Sequence, residues 1–193
     1  MKQTAELTIK LFVITAIVAA LLSAVNLVTA PVIARNTEAA FQENMRAVLP
    51  DADTFTESDA DVNLSETGVR VDALYEGTAG GQTAGYVASV VCSEGYGGDI
   101  TVMVGVNADL TVNQVTITEM SETPGLGAKA SEPSFIDQYQ GLSYQIEVDK
   151  NGSAAGAEQK VSAISGATIT SRAVTKAVNA ALEAAEQAEG GVK

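Results

Sequence analysis

The apolar positions of this chain fall into three regimes with different periods. From Leu11 to Ala34 no residue is charged, and Leu, Val, Ile and Ala dominate. About 20 such residues cross a bilayer as a helix, so this run reads as one transmembrane span. It continues as IARNTEAAFQENMRAVLP, which holds helix formers and no Gly. The helix is therefore expected to extend to about Leu49 and to stop at Pro50. The following stretch, DADTFTESDADVNLSETG, is acidic and polar and reads as a solvated linker.

From Val69 the period changes to two. VRVDALYEG, AGYVASVVC, DITVMVGVN and TVNQVTITE alternate apolar and polar residues and are rich in β-branched side chains. They predict four strands of one antiparallel sheet with a single buried face. Two Gly-rich turns follow or interrupt them, Gly95-Tyr96-Gly97-Gly98 and Pro124-Gly125-Leu126-Gly127. A short helix around Ser134–Tyr139 and a weak strand near Tyr144–Val148 come next. The third regime is ITSRAVTKAVNAALEAAEQAE, where Val174, Ala177, Val178, Ala181, Leu182 and Ala185 recur at helical spacing. Thr168 or Ser165 is placed to cap that helix. The expected architecture is α+β, with residues 1–34 as a transmembrane anchor, 35–68 as a helical extension and acidic linker, and 69–193 as the folded domain.

A cleaved secretory leader competes with the anchor, because Lys2 and Lys10 precede the apolar run and Val28-Thr29-Ala30 ends in small residues. Such a leader has an apolar core of only about 7–15 residues, and Pro31 directly follows the candidate cleavage point. A retained single-pass anchor is the better reading. Lys2, Lys10 and the N-terminal amine favour a cytoplasmic N-terminus, partly offset by Arg35 and Arg46. The folded domain would then lie on the extracytoplasmic side.

The net charge is −13, and only Lys2, Glu6 and Lys10 are charged before residue 31. The acidity therefore belongs to the soluble part, which disfavours nucleic acid as a partner because phosphate contacts need clustered Lys and Arg. There is one Cys, and there is no His and no Trp. An internal disulfide, a CxxC pair, a Ser-His-Asp triad and a His-ligated metal site are all excluded. Any redox chemistry must come from a bound organic cofactor. No catalytic residue and no metal ligand is assigned; Cys92, Met103 and Met120 lie at or beside strand positions and read as core or surface.

Two segments carry candidate chemistry. In SAISGATITSRAV, small residues lead into a helix whose first N–H groups and partial positive charge suit a phosphate. Gly166 and Ala167 allow close backbone approach, and Arg172, four residues beyond Thr168, is placed to neutralise charge. In SETPGLGAKASEPSF, Pro124 fixes φ while Gly125 and Gly127 open conformations closed to other residues. That loop could lay Leu126 and backbone amides against a flat ring. Taken alone, the first segment is equally an ordinary helix cap and the second a turn without ligand.

Together, SGAT at a helix start and ETPGLG some forty residues before it resemble the FMN-binding domain family. With GYGGDITVMVGVN and the N-terminal anchor, the order and spacing resemble the G subunits of Rnf-type ion-translocating ferredoxin–NAD oxidoreductases. The resemblance covers most of the chain. It implies that residues 69–193 form an FMN-binding domain and that Thr168, the last residue of SGAT, carries FMN through a phosphoester made by a flavin transferase. It further implies flavin contacts from Ser165, Gly166, Ala167, Thr170 and Arg172, and from Glu122, Thr123, Leu126, Gly127 and Lys129. The family's attachment signal usually has Asp six residues before the modified Thr; Ser162 stands there in this chain.

The implied function is electron transfer without independent turnover, in a membrane complex whose other subunits oxidise ferredoxin, reduce NAD and move an ion. Partners would be those subunits, the flavin transferase and the lipid bilayer. Two alternatives stand beside it. One is the C subunit of the sodium-pumping NADH–quinone reductase, which shares the flavin domain. The other is an anchored, non-redox module that holds a small phosphate ligand reversibly.

Overall fold

The computed structural model describes residues 2–58, 62–150 and 159–190. The chain divides into two compact units, Met1–Glu43 and Asn44–Lys193. Helix α1 spans Lys2–Val48 and contains Pro31. Its apolar side chains between Leu7 and Ile33 are exposed along the whole stretch, as Leu11, Phe12, Leu22 and Leu27 illustrate. That stretch is long and apolar enough to cross a membrane. Thr15 and Thr29 return their hydroxyls to carbonyls three or four residues back, so neither leaves a free polar group on the apolar surface.

In the second unit, β1 (Thr54–Glu57), β2 (Val69–Ala79), β3 (Gln82–Cys92), β4 (Ile100–Asn107) and β5 (Val112–Glu119) form one sheet in sequence order. Every neighbouring pair in it is antiparallel. Four strands match the alternating runs closely. The β2–β3 hairpin turns on Gly80 and Gly81, both with positive φ, as tight hairpin turns require. A 3-10 helix at Gly127–Ser131, helix α2 (Pro133–Ile136) and a second 3-10 turn at Asp137–Tyr139 follow. Strands β6 (Glu147–Asp149) and β7 (Lys160–Ser162) then pair in parallel, and α3 (Thr168–Gly190) ends the fold.

Helix α3 lies across β2, β3 and β4. Its buried face is almost all small: Ala173, Ala177, Ala180, Ala181, Ala184 and Ala185 are inaccessible or nearly so, with Val174, Val178 and Leu182 among them. Polar anchors join the irregular segments to the same helix. Asn179 donates from Nδ2 to the Ile146 carbonyl at 3.0 Å and accepts the Ile146 N–H at 2.9 Å. The fully buried Tyr139 hydroxyl meets Thr175 Oγ1 at 2.8 Å, while its ring packs edge-on against Phe135. Burial pushes the Tyr139 phenol well above its ordinary pKa.

Two expectations need correction. The sheet is covered on both faces, since β3 is buried at every position from Gly85 to Cys92. The face opposite α3 receives Met45, Val48 and Leu49, all fully buried. Glycines make room for them: a Cβ at Gly105 would lie 1.9 Å from the Val48 carbonyl oxygen, and one at Gly77 would lie 2.6 Å from Leu49 Cδ2. The compact unit therefore begins at Asn44, not at Val69.

The acidic stretch expected as a free linker is also tied down, although its residues 59–61 lie outside the described ones. Its Thr54–Glu57 segment pairs with β2. Asn63 exchanges two hydrogen bonds with the Gln187 side chain, and the Ser65 N–H donates to Glu183. Acidity marked these residues as solvated, but many of the groups that hold them are backbone amides and carbonyls, on which side-chain charge says nothing, and the Glu66 carboxylate itself pairs with Lys176 at 3.6 Å.

Gly105→Ala should lower stability by about 2–3 kcal/mol, because the clash is with a backbone carbonyl that has little freedom to shift. Gly190→Ala, which would meet nothing within 4 Å, should leave the denaturation midpoint close to wild type. Urea unfolding of the detergent-solubilised protein checks both.

Candidate functional site

The SGAT segment forms the entrance to α3. The Ala167 N–H donates to the Ile164 carbonyl at 2.9 Å, and the Ser171 N–H donates to the Ala167 carbonyl at 3.0 Å. Ala167 thus occupies the cap position and Thr168 is the first helical residue. This corrects the expectation that Thr168 or Ser165 caps the helix. A side chain further along does the holding: Ser171 Oγ accepts the Ile164 N–H and donates to the Ala167 carbonyl, both at 3.0 Å. The amides of Thr168, Ile169 and Thr170 precede the first intrahelical bond and point off the helix end. Gly166, with φ of +77°, turns the chain into it.

The ETPGLG segment meets this end from across the sheet. Leu126 and Ala128 donate their N–H groups to the Thr123 carbonyl at 3.2 and 3.1 Å, which closes the loop on itself. Gly125 supplies the positive φ, +79°. Between the two segments lies a cleft of about 490 Å³, lined by Tyr96, Glu122, Thr123, Leu126, Gly127, Gly166, Ala167, Thr168, Ile169 and Thr170. Its mouth is apolar. Tyr96, Leu126 and Ile169 are 71%, 45% and 52% exposed, and beyond α1 only Tyr144 joins them among large exposed hydrophobic side chains of the described residues.

The structure therefore brings together Glu122, Thr123, Leu126, Gly127, Gly166, Ala167, Thr168 and Thr170 of the residues singled out from the sequence. Ser165, Lys129 and Arg172 do not line the cleft. Arg172 flanks a separate groove with Glu66, Glu147 and Lys176. The cleft opens off the end of α3 and not along its side, so only its first turn reaches it. Lys176 of the separate groove is held above its ordinary pKa by its hydrogen bond with the Glu94 carboxylate, 2.9 Å away.

Tyr96 and Ile169 were not assigned from the sequence. Tyr96 sits in a Gly-rich turn that reads equally as a sheet edge, and Ile169 looks like one more apolar helix residue. Neither pattern says that both side chains stay exposed.

Residues 95–183 match the FMN-binding domain family. The chain is 35% identical over 186 residues to the G subunit of the Na(+)-translocating ferredoxin:NAD(+) oxidoreductase complex of Acetobacterium woodii, covering 92% of this chain and 89% of that one. It is 35% identical to the G subunit of the proton-translocating complex of Clostridium ljungdahlii, over 97% of this chain and 92% of that one. The chain belongs to the G-subunit family of these complexes. A solved relative is the C subunit of Na(+)-translocating NADH-quinone reductase from Parabacteroides distasonis, with TM-score 0.50 and 26% identity, covering 60% of this chain and 61% of that one.

A family that binds FMN implies a site with three parts, and the cleft has each. Free first-turn amides at the N-terminus of α3 suit a phosphate. Gly166 leaves the backbone bare beside Leu126, whose Cδ2 would be 3.2 Å from any added Cβ. Leu126, Ile169 and Tyr96 offer apolar surface to a ring system.

Gly127 is the tighter of the two glycines that line the cleft, because a Cβ there would lie 2.4 Å from Glu122 Oε2 and 2.7 Å from Thr170 Oγ1. Gly127→Ala should lower stability by about 1–3 kcal/mol. At Gly125 a Cβ meets open space, so Gly125→Ala should cost only the positive-φ penalty, about 1 kcal/mol. Thermal melts of the two variants test the order.

Proposed function

We propose that this protein is an electron-transfer subunit of a membrane-bound, ion-translocating ferredoxin–NAD oxidoreductase, and that it carries FMN as a phosphoester on Thr168. The observation that supports this most is the meeting of SGAT and ETPGLG in one cleft within the matched FMN-binding region. The likeness to the G subunits runs almost end to end. That to the C subunit of the NADH–quinone reductase covers 60% of this chain, which makes it the second reading; the genes flanking this one separate the two.

Bound FMN supplies reversible one- and two-electron chemistry. The chain's own residues bind and orient. The first-turn amides of α3 donate to the phosphate, and the helix N-terminus offsets its charge. Covalent attachment at this point would leave Leu126, Ile169 and Tyr96, which line the same cleft, to hold the ring system. It also prevents loss of a flavin outside the cytoplasm, where a lost cofactor would not be replaced.

Geometry favours Thr168 over the neighbouring hydroxyls. Thr168 lines the cleft and is half-buried. The Thr170 hydroxyl is 1% exposed by residue and donates to Glu122 Oε2 at 2.9 Å. Ser171 Oγ is engaged at the helix entrance, and Ser165 is exposed outside the cleft. Among these four hydroxyls, that of Thr168 is the one we favour for a flavin transferase to modify, and Ser162 in place of the usual Asp is the residue that tests its tolerance.

Mass spectrometry after co-expression with the transferase should find one FMN on Thr168. Thr168→Ala should abolish covalent flavin, seen as loss of visible absorbance in denatured, washed protein. Thr170→Ala should retain it while losing about 1–3 kcal/mol of stability, because Glu122 keeps an unmatched oxygen. Retention in the first variant and loss in the second would move the site. A reversible phosphate-binding module would lose its ligand on denaturation.

The apolar stretch of α1 should keep the chain in the membrane with the folded domain outside the cytoplasm. Protease added to cells stripped of their wall should digest that domain, and protection would reverse the orientation.

A further inference from the structure

We infer that Glu122 is a positioning residue: its buried carboxylate locks the Gly95–Gly98 turn, the Thr123–Gly127 loop and the first turn of α3 into one rigid wall of the cleft. The lock stands on geometry alone, and its consequence for the cofactor rests on the proposed function.

Glu122 is 8% exposed. Its Oε2 accepts from Thr170 Oγ1 at 2.9 Å, and its Oε1 accepts from the Gly97 N–H at 3.0 Å. These partners lie 48 and 25 residues away along the chain, so a single side chain joins three segments distant in sequence. The surroundings are hollowed to fit it. A Cβ at Gly127 would lie 2.4 Å from Oε2, and one at Gly95 would lie 2.9 Å from Oε1. A Cβ at Gly97 would lie 2.0 Å from the Ser121 carbonyl oxygen, which holds the turn flat against the residue preceding Glu122. Glycine at 127 thus serves the carboxylate directly, while glycine at 95 and 97 lets the turn close on the Gly98 and Ser121 carbonyls.

The ion pairs found among the described residues do not include Glu122. Its charge meets a hydroxyl, an amide and the positive end of α3, which makes the two bonds charge-assisted and strong. A neutral glutamine would satisfy the same two partners, since the Thr170 hydroxyl is able to accept as well as donate. The carboxylate therefore brings something geometry does not need, a fixed negative charge in the cleft wall. Adding electrons to a group in that cleft is disfavoured by such a charge. Glu122 sets both the shape of the site and, with FMN in place, a lower reduction potential.

The test uses the full-length protein in detergent. Amide hydrogen exchange on the flavin-free form should show Gly97 and Ser171 protected in wild type and in Glu122→Gln. Both should exchange at least about tenfold faster in Glu122→Ala, through local opening. Thr170→Val should release Ser171 while leaving Gly97 protected. In the flavin-loaded form, Glu122→Gln should shift the potential positive, by on the order of tenfold in the reduction equilibrium against a common reference dye.

Unchanged Gly97 protection in Glu122→Ala overturns the lock. If that variant does not fold, unchanged Ser171 exchange in Thr170→Val overturns it instead. A potential in Glu122→Gln equal to wild type, or more negative, overturns the electrostatic role. Absence of flavin from wild type would sink the proposed function, and the exchange measurements would still decide the lock.

Discussion

Helix α3 packs into the sheet through alanine. Ala173, Ala177, Ala180, Ala181, Ala184 and Ala185 occupy the contact with β2, β3 and β4, so the helix axis approaches more closely than larger side chains would permit. Close packing of this kind leaves little freedom of translation or rotation. The start of α3 is consequently held at one place above the sheet, and the SGAT turn with it. Asn179, Thr175 and Glu183 then use the same helix to hold the Ile146 segment, Tyr139 and Ser65. Movement of α3 along its axis would disturb the cleft at one end and each of these anchors along its length.

Electrostatics around the cleft follow from this placement. The soluble part is acidic, yet the site proposed for a phosphate is made of backbone amides at a helix end. Three basic side chains of the domain are paired elsewhere: Lys176 with Glu94 and Glu66, Lys160 with Glu147, and Arg70 with Asp72. Local dipoles act within the first turn of a helix, so the net charge of the domain does not decide what the cleft accepts. The nearest buried charge is negative, on Glu122, and it belongs to the wall.

Much of the architecture was legible from residue order. Period-two, β-branched-rich runs in VRVDALYEG through TVNQVTITE marked four strands, although β3 is buried on both faces, and Ala-rich helical spacing marked α3. β1 and β7 were not legible: Thr54–Glu57 and Lys160–Ser162 are too short to show a period and are strands only through their partners. The cover on the second face of the sheet was hidden as well. Met45, Val48 and Leu49 read as the tail of an apolar helix, and the glycines that receive them, Gly77 and Gly105, lie far along the chain.

The two motifs were readable because each depends on local backbone conformation, which glycine, proline and small residues declare within a few positions. Their meeting was implied by family resemblance but decided by the sheet, which carries Glu122 to Thr170. Sequence spacing nominated Arg172 as a charge partner and the family resemblance nominated Lys129 as a flavin contact, yet neither lines the cleft, since spacing along a helix or loop ignores where the cleft opens. The sequence offered several hydroxyls near Thr168; Ser171 is engaged locally by Ile164 and Ala167, and the tertiary structure gives the Thr170 hydroxyl its buried partner, Glu122. Local conformation is written in neighbouring residues, whereas burial and hydrogen-bond saturation depend on partners 25 to 48 residues away, and only folding brings those together.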